Sequence, residues 1–241
     1  MFLRIGIFYI LTWFFLILLG GLQQAMGILP EVGLAQWGPG IAALLMLVLF
    51  RKDVHKITFI STGTPVLRYV YAALIPVGVS LVVFVVKSLM SIQHSPDSPT
   101  YGAILPMLVW MPFGAIGEEL GWRGYLHKKL APHMRGLWSS LLVGVFWMPI
   151  HVAFFGEGIV FLLFLVLLII SYSIVIYALV QDTGFNVLLA SVFHLFINVA
   201  NLLFLDVIHE TPFMIVNALV WVIVAAVIVF WKKDIFFAAK S

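Results

Sequence analysis

Six side chains able to carry protons or donate strong hydrogen bonds stand inside stretches built almost wholly of leucine, valine, isoleucine, phenylalanine and glycine. Glu118, Glu119 and Arg123 share one stretch, His151 lies in a second, and His194 and Asn198 lie in a third. Helical spacing gives them separate tasks. Glu119 and Arg123 are four residues apart with the acid first, the favourable order for an ion pair on one helix face. Glu118 is rotated about 100° from Glu119 and is left to face something else. His194 and Asn198 are also four apart, so an imidazole and an amide project from one face at neighbouring heights. This set is equipped to hydrolyse a peptide bond: a carboxylate to take a proton from water, and an amide and an imidazole to stabilise a developing oxyanion. A second chemistry uses the same atoms. His151 and His194, with a carboxylate, are three ligands of the kind a catalytic zinc ion takes, with a fourth position open for water. The residues alone leave both open.

The elements that must position these groups are membrane helices. Of 241 residues, 63% are hydrophobic and 10% charged, against roughly 45–50% apolar and about 25% charged in soluble domains. A helix rises about 1.5 Å per residue, so about 18 or more apolar residues cross a hydrocarbon core of roughly 30 Å. We place eight spans, at about 4–22, 36–50, 67–90, 101–130, 136–155, 159–180, 185–205 and 212–231. The second is short and begins inside the Gly-rich stretch Trp37 to Gly40, and the fourth ends in the mixed segment Trp122 to Leu130. The fold class is therefore all-α, a polytopic membrane protein of about eight transmembrane helices, with the whole chain, 1–241, as one integral membrane domain. The connecting loops are too short to hold a soluble domain.

The charge pattern orients these spans. Arg4, Arg51, Lys52, Lys56, Arg68, Arg123, Lys128, Lys129, Arg135, Lys232, Lys233 and Lys240 fall on the side that carries both termini, and of the 13 Lys and Arg only Lys87 falls on the other, where it is expected to snorkel outward. The opposite side holds Glu31, Asp97, Glu157, Asp206 and Glu210. By the positive-inside rule both termini are cytoplasmic. The net charge of +3 is explained by this rim, so nucleic acid is not an expected partner, whereas membrane lipid is. The absence of cysteine excludes disulfides, a thiol nucleophile, thiolate metal ligands and palmitoylation. The first span has no convincing small-residue cleavage site and is read as retained.

Depth and number argue that the polar groups are functional. A charge at mid-membrane costs about 2.5–3.5 kcal/mol on insertion scales. Counting from the basic rim puts Glu118 at roughly 15 Å, His194 at roughly 14 Å and His151 at roughly 23 Å along their helices, so His151 meets the others if its helix tilts or starts lower. Interhelical hydrogen bonds account for a lone intramembrane His or Asn, but two glutamates, two histidines and an arginine exceed what such packing needs. Gly117 and Gly121 fit a small-xxx-small pattern that lets a neighbouring helix approach beside Glu118. His55, His94, His127, His133 and His209 are read as solvated rim residues. Other intramembrane protease chemistries lack their residues: the sequence has no His-Glu-x-x-His and no Gly-x-Ser-Gly before a small-residue helix, and Asp182 and Asp206 lie in loops.

Glu-Glu-x-x-x-Arg at 118–123, an aromatic-x-x-x-His at 147–151 and His-x-x-x-Asn at 194–198, in that order on separate helices, resemble the CPBP family. This family includes the type II CAAX prenyl endopeptidases and the bacterial Abi proteins linked to bacteriocin self-immunity. The resemblance covers a core of about 101–204. The family pattern often has Phe four residues before the first His, where this chain has Trp147, a difference read as one of bulk alone. The resemblance implies an eight-helix fold with a conical cavity open to the cytosol. It implies Glu118 and His151 as activators of water, His194 and Asn198 near the scissile carbonyl, and Glu119 and Arg123 as supports. The family is commonly classed with metalloproteases, which favours a metal-assisted mechanism, with a divalent metal such as zinc on His151 and His194. The expected substrate is a peptide or a protein, prenylated or not, and the expected setting a bacterial plasma membrane. Two other readings stand beside this one: a proton-coupled transporter relaying protons through Glu118, His151 and His194, and a non-catalytic membrane protein of the bacteriocin-immunity type.

Overall fold

A computed structural model describes residues 1–51, 56–92, 101–204 and 209–238, the side chains of 101–103 and 204 excepted. Lys52, His55, His94, Asp97, Asp206 and Lys240, used above for charge and rim assignments, lie outside these residues. Among the described residues every regular element is helical, as lipid demands of a spanning chain that must satisfy its own backbone N–H and C=O groups. Helix α1 is Phe2–Ala25. After 3-10 turns at Pro30–Val32 and Leu34–Trp37 come α2 (Gly38–Leu49), α3 (Val66–Leu89) and α4 (Tyr101–Glu119). Helix α4 runs on as a π-helical segment, Leu120–His127, and a last α turn, Lys128–Leu130. Then follow α5 (Gly136–Trp147), 3-10 turns at Met148–Ile150 and Val152–Phe154, α6 (Ile159–Val180), α7 (Val187–Phe204), α8 (Thr211–Trp231) and the short α9 (Lys233–Phe237).

Each expected span is helical, so the chain is a polytopic, all-α membrane protein. Five segments, Phe2–Ala25, Pro30–Leu49, Val66–Leu89, Ile159–Val180 and Thr211–Trp231, are long and apolar enough to cross a bilayer, and two shorter apolar ones are Gly136–Ile150 and Val187–Leu203. The fifth span ends as an α-helix at Trp147 rather than near Phe155; Pro149 has no N–H to continue the ladder. Outer faces are apolar, with Ile10, Phe14 and Ile17 on α1 and Ile223, Val227 and Phe230 on α8 exposed. The helices pack as α1 on α2, α3 on α7, α4 on α7, α5 on α6 and α6 on α8.

Hydrophobic burial does not drive helices together in lipid, so close approach through small residues carries much of the packing. The pair Gly117 and Gly121 is used in this way. A Cβ on Gly117 would come within 3.0 Å of the Gln36 carbonyl oxygen and of Trp37 Cα, and one on Gly121 within 2.3 Å of Pro39 Cβ. The start of α2 therefore lies against α4 beside Glu118, and the 3-10 turns before it pack on α4 as well.

The end of the molecule that carries the basic residues is tied shut. Val187 and Leu188 N–H donate to the Thr58 and Phe59 carbonyls at 2.9 and 3.0 Å, and Lys128 Nζ donates to the Lys56 carbonyl at 2.7 Å. The Asn186 side chain accepts from Leu189 N–H and donates to Thr64 Oγ1 and Tyr69 OH. Arg68 on α3 binds Asp182 in the α6–α7 loop, Nη2 to Oδ2 at 2.6 Å. Two polar residues read as rim groups are interior. Lys87 is 2% exposed rather than snorkelling, and His127 is fully buried, 3.2 Å from Ser139 Oγ and stacked on Tyr177. Ser139 of α5, Tyr177 of α6 and Phe185 surround the His127 ring.

Candidate functional site

The π-helical segment begins one residue after Glu119. Its wider turn keeps Glu119 and Arg123 stacked, with Arg123 Nη1 donating to Glu119 Oε1 at 2.8 Å and both side chains fully buried. The pair expected from spacing is present, but it is not the whole of Glu119's role. His194 Nδ1 lies 2.9 Å from the same oxygen. A carboxylate only accepts, so Nδ1 carries the proton and donates, leaving Nε2 as the ring atom available to another partner. Glu119 thus joins α4 to α7 and sets the tautomer of His194, as a carboxylate does behind many working histidines.

Glu118 faces α5. Its Oε2 accepts from Trp147 Nε1–H at 2.6 Å, both groups buried. Trp147 therefore supplies chemistry as well as bulk, which corrects the reading of this position as filler. The indole gathers the site: Arg123 Cζ sits 4.4 Å from its ring centroid, the His194 ring 5.2 Å away and the His151 ring 6.0 Å away. A phenylalanine here would keep the ring contacts and lose the N–H.

His151 was the group least certain by depth to meet the others, and the broken end of α5 brings it in. The chain leaves α5 at Trp147 and turns through Met148–Ile150. His151 Nδ1 then lies 3.2 Å from the Met148 carbonyl and 3.3 Å from that of Trp147. Carbonyls only accept, so Nδ1–H donates and Nε2 is left to take a proton.

A cavity of about 630 Å³ receives these groups. Trp147, His151, His194 and Asn198 line it; Glu118 is 4% exposed, and Glu119 and Arg123 lie behind it at 0%. Its walls include Met107, Met111, Leu165, Leu168, Phe213 and Met214, an apolar set. Sequence reading missed a second polar group in the same wall: Tyr172 on α6, Asn201 on α7 and Asn217 on α8. Asn201 continues the His194–Asn198 face by three residues, and Asn217 is a lone amide in an apolar span, so both had a visible signal. Pro30, Glu31, Phe154 and His209 also line the cavity, with His209 Nδ1 2.7 Å from Glu157 Oε1. These four follow α1, follow α5 and precede α8, at the ends of those helices away from the basic residues.

Zinc takes its protein ligands at about 2.0–2.2 Å through carboxylate oxygen and imidazole nitrogen. Among the described residues no three His, Cys, Asp or Glu side chains are grouped to hold a metal ion. One Glu118 oxygen is taken by Trp147 and the Nδ1 atoms of His151 and His194 by other acceptors, which leaves Glu118 Oε1 and the two Nε2 atoms as the ligand atoms of this set.

The helical bundle thus brings paired glutamates, two histidines and an amide together at one buried cavity. Residues 100–200 match the family described as Type II CAAX prenyl endopeptidase Rce1-like. The protein is also similar to a protein named CAAX prenyl protease 2 from Methanococcus maripaludis, 28% identical over 184 residues, which make up 72% of this chain and 67% of the relative.

Proposed function

We propose that the protein hydrolyses a peptide bond within the membrane using water activated by Glu118 and His151. The observation that carries this reading is the division of labour between adjacent glutamates. Glu119 is neutralised by Arg123 and holds His194, whereas Glu118 is held by one indole N–H beside the cavity. Glu118, assisted by His151 Nε2, takes a proton from water as its oxygen bonds to the carbonyl carbon. The Asn198 amide donates to the resulting oxyanion. Neutral His194 cannot donate from Nε2, so its share in oxyanion binding requires the imidazolium, which Glu119 is placed to stabilise. Collapse breaks the C–N bond, the leaving nitrogen takes the proton, and a new carboxylate is released. The substrate is a peptide or protein segment, and the apolar wall receives an apolar side chain or lipid group next to the scissile bond.

A proton relay would need a path through both faces. Between the site and the basic end, Trp122, Tyr125, Leu126 and His127 are buried, which supports hydrolysis over transport. The test is turnover of a fluorogenic peptide in liposomes by the parent and by Glu118→Gln, with thermal unfolding beside it. A folded Glu118→Gln protein with turnover reduced about a hundredfold or more is expected, the usual cost of losing general-base assistance. Near-normal turnover refutes the assignment.

A further inference from the structure

We infer that Tyr172, Asn201 and Asn217 form a subsite that hydrogen-bonds a main-chain peptide group of the bound segment, one or two residues from the bond that is cut. The bond that is cut rests on the hydrolytic reading above, and the subsite rests on the cavity wall. Tyr172 on α6, Asn201 on α7 and Asn217 on α8 come from three helices and all line the cavity. The Tyr172 hydroxyl lies beside both amides. Even so, neither it nor Asn217 Oδ1 completes a hydrogen bond among the described residues, although Tyr172 is 4% exposed and Asn217 2%. A buried tyrosine hydroxyl usually finds a partner, and an unmade bond at a buried group is costly enough to need a reason. Side chains that only join helices would complete their bonds to one another. Trp221, one turn beyond Asn217 on α8, packs edge-on against the Tyr172 ring with centroids 4.8 Å apart. The ring that carries the hydroxyl is thereby held from α8.

The chemistry of the three side chains selects what they bind. A hydroxyl and a carboxamide can each donate and accept, and neither carries charge. No Lys or Arg among the described residues lines the cavity, so a carboxylate or a phosphate would lack a counter-charge here. A peptide group is neutral and presents one donor and one acceptor, its N–H and C=O. A segment lying extended in an apolar cavity needs partners for these groups, because burying each without one is costly. Glu118, His151, His194 and Asn198 serve the scissile peptide group, so partners for its neighbours must come from elsewhere in the wall. Spacing sets which neighbour. Asn201 lies three residues beyond Asn198 on α7, roughly 4.5 Å along the helix, and an extended chain advances about 3.3 Å per residue. The peptide group reached is therefore the first or second from the scissile one.

The test uses the full chain in liposomes, a quenched apolar peptide and a set of its esters, each replacing by oxygen one peptide N–H within two residues of the scissile bond, the scissile one excepted. An ester removes the N–H donor and weakens the carbonyl acceptor. One ester is expected to lower kcat/KM of the parent about three- to tenfold, the order of one hydrogen bond. That penalty should vanish in Tyr172→Phe/Asn217→Leu, whose kcat/KM on the all-amide peptide falls to the parent's value on that ester. Tyr172→Phe alone, which keeps the ring on Trp221, should show the same pattern in smaller degree. The unfolding midpoint of both variants should be unchanged or higher, because each group removed is unpaired within the protein. A lower midpoint with an equal loss on every peptide, an ester penalty that persists in the variants, or no penalty at any position overturns the inference. Binding of labelled forms of the same peptides to Glu118→Gln, read by fluorescence anisotropy, separates the two readings. The expected ester penalty in binding, with a parent that cleaves no peptide, upholds the subsite and refutes hydrolysis. Cleavage by the parent with binding insensitive to every ester refutes the subsite alone, and absence of any binding refutes it as well.

Discussion

The indole of Trp147 gives the site a property that a phenylalanine would lack. A hydrogen bond to a charged group contributes about 1.5–3 kcal/mol, and here it also holds the Glu118 carboxylate against the cavity. Trp147→Phe is expected to lower kcat about tenfold while leaving KM nearly unchanged. A structural loss would act equally in any background. A positioning role predicts that Trp147→Phe adds little once Glu118→Gln is present, so kinetics of both single variants and the double variant separate the two cases. Glu119→Gln has two consequences rather than one. It leaves Arg123 buried without its counter-charge, a type of loss that costs about 3–5 kcal/mol, and it releases His194. A lower unfolding temperature in detergent together with reduced turnover per folded molecule is expected; unchanged stability would contradict the geometry.

Helix α4 works because three kinds of irregularity fall in the right places. Gly117 and Gly121 admit the start of α2, the π-helical turn begins beside the paired glutamates, and the broken end of α5 swings His151 onto the cavity. Wide turns of this kind occur often at functional sites because they re-aim side chains within an otherwise regular helix. Gly121→Ala places a carbon against Pro39 Cβ and the Pro39 backbone, and overpacking of this sort costs about 1–3 kcal/mol. Its unfolding midpoint should fall, whereas Gly78→Ala on α3, where a Cβ meets nothing within 4 Å, should leave it unchanged. Equal midpoints for the two variants would show that α2 does not rest on α4 as described.

At the scale of the molecule, the end that carries the basic residues is tied together by polar contacts between distant segments. The Asp182 carboxyl is held below the ordinary carboxylate range chiefly by its hydrogen bond to Arg68, with burial opposing. A carboxylate whose folded value is depressed contributes stability above its unfolded value, about 3.9, and that contribution is lost as pH falls through the lower folded value. Both side chains are substantially exposed, at 33% and 46%, so solvent screening limits the contribution to under about 1 kcal/mol. Asp182→Asn should lower the unfolding midpoint slightly at pH 7, and the gap should narrow as pH drops below about 4. A gap that widens on acidification would rule out this tie. Chelation addresses the metal question at the same scale: turnover is expected to survive exhaustive dialysis against a chelator, and a loss restored by zinc would return His151 and His194 to the role of ligands.

Hydrophobic length and the placement of Lys and Arg determine, without any structure, that the chain is a bundle of about eight membrane helices. Both depend only on transfer of side chains between lipid and water, a property of each segment by itself. The Glu119–Arg123 pair was legible for a similar reason, since helical periodicity joins residues four apart whatever surrounds them. The second bond of Glu119, to His194, was not, because it spans 75 residues of sequence and depends on how α4 and α7 pack. Trp147 looked like bulk until α5 was seen to aim its N–H at Glu118. His127 and Lys87 were read as rim groups from their position near span ends, and only the covering helices make them interior. The cavity belongs to this second kind of fact, because its wall joins residues of α4, α5, α6, α7 and α8 that only the packing of those helices brings together.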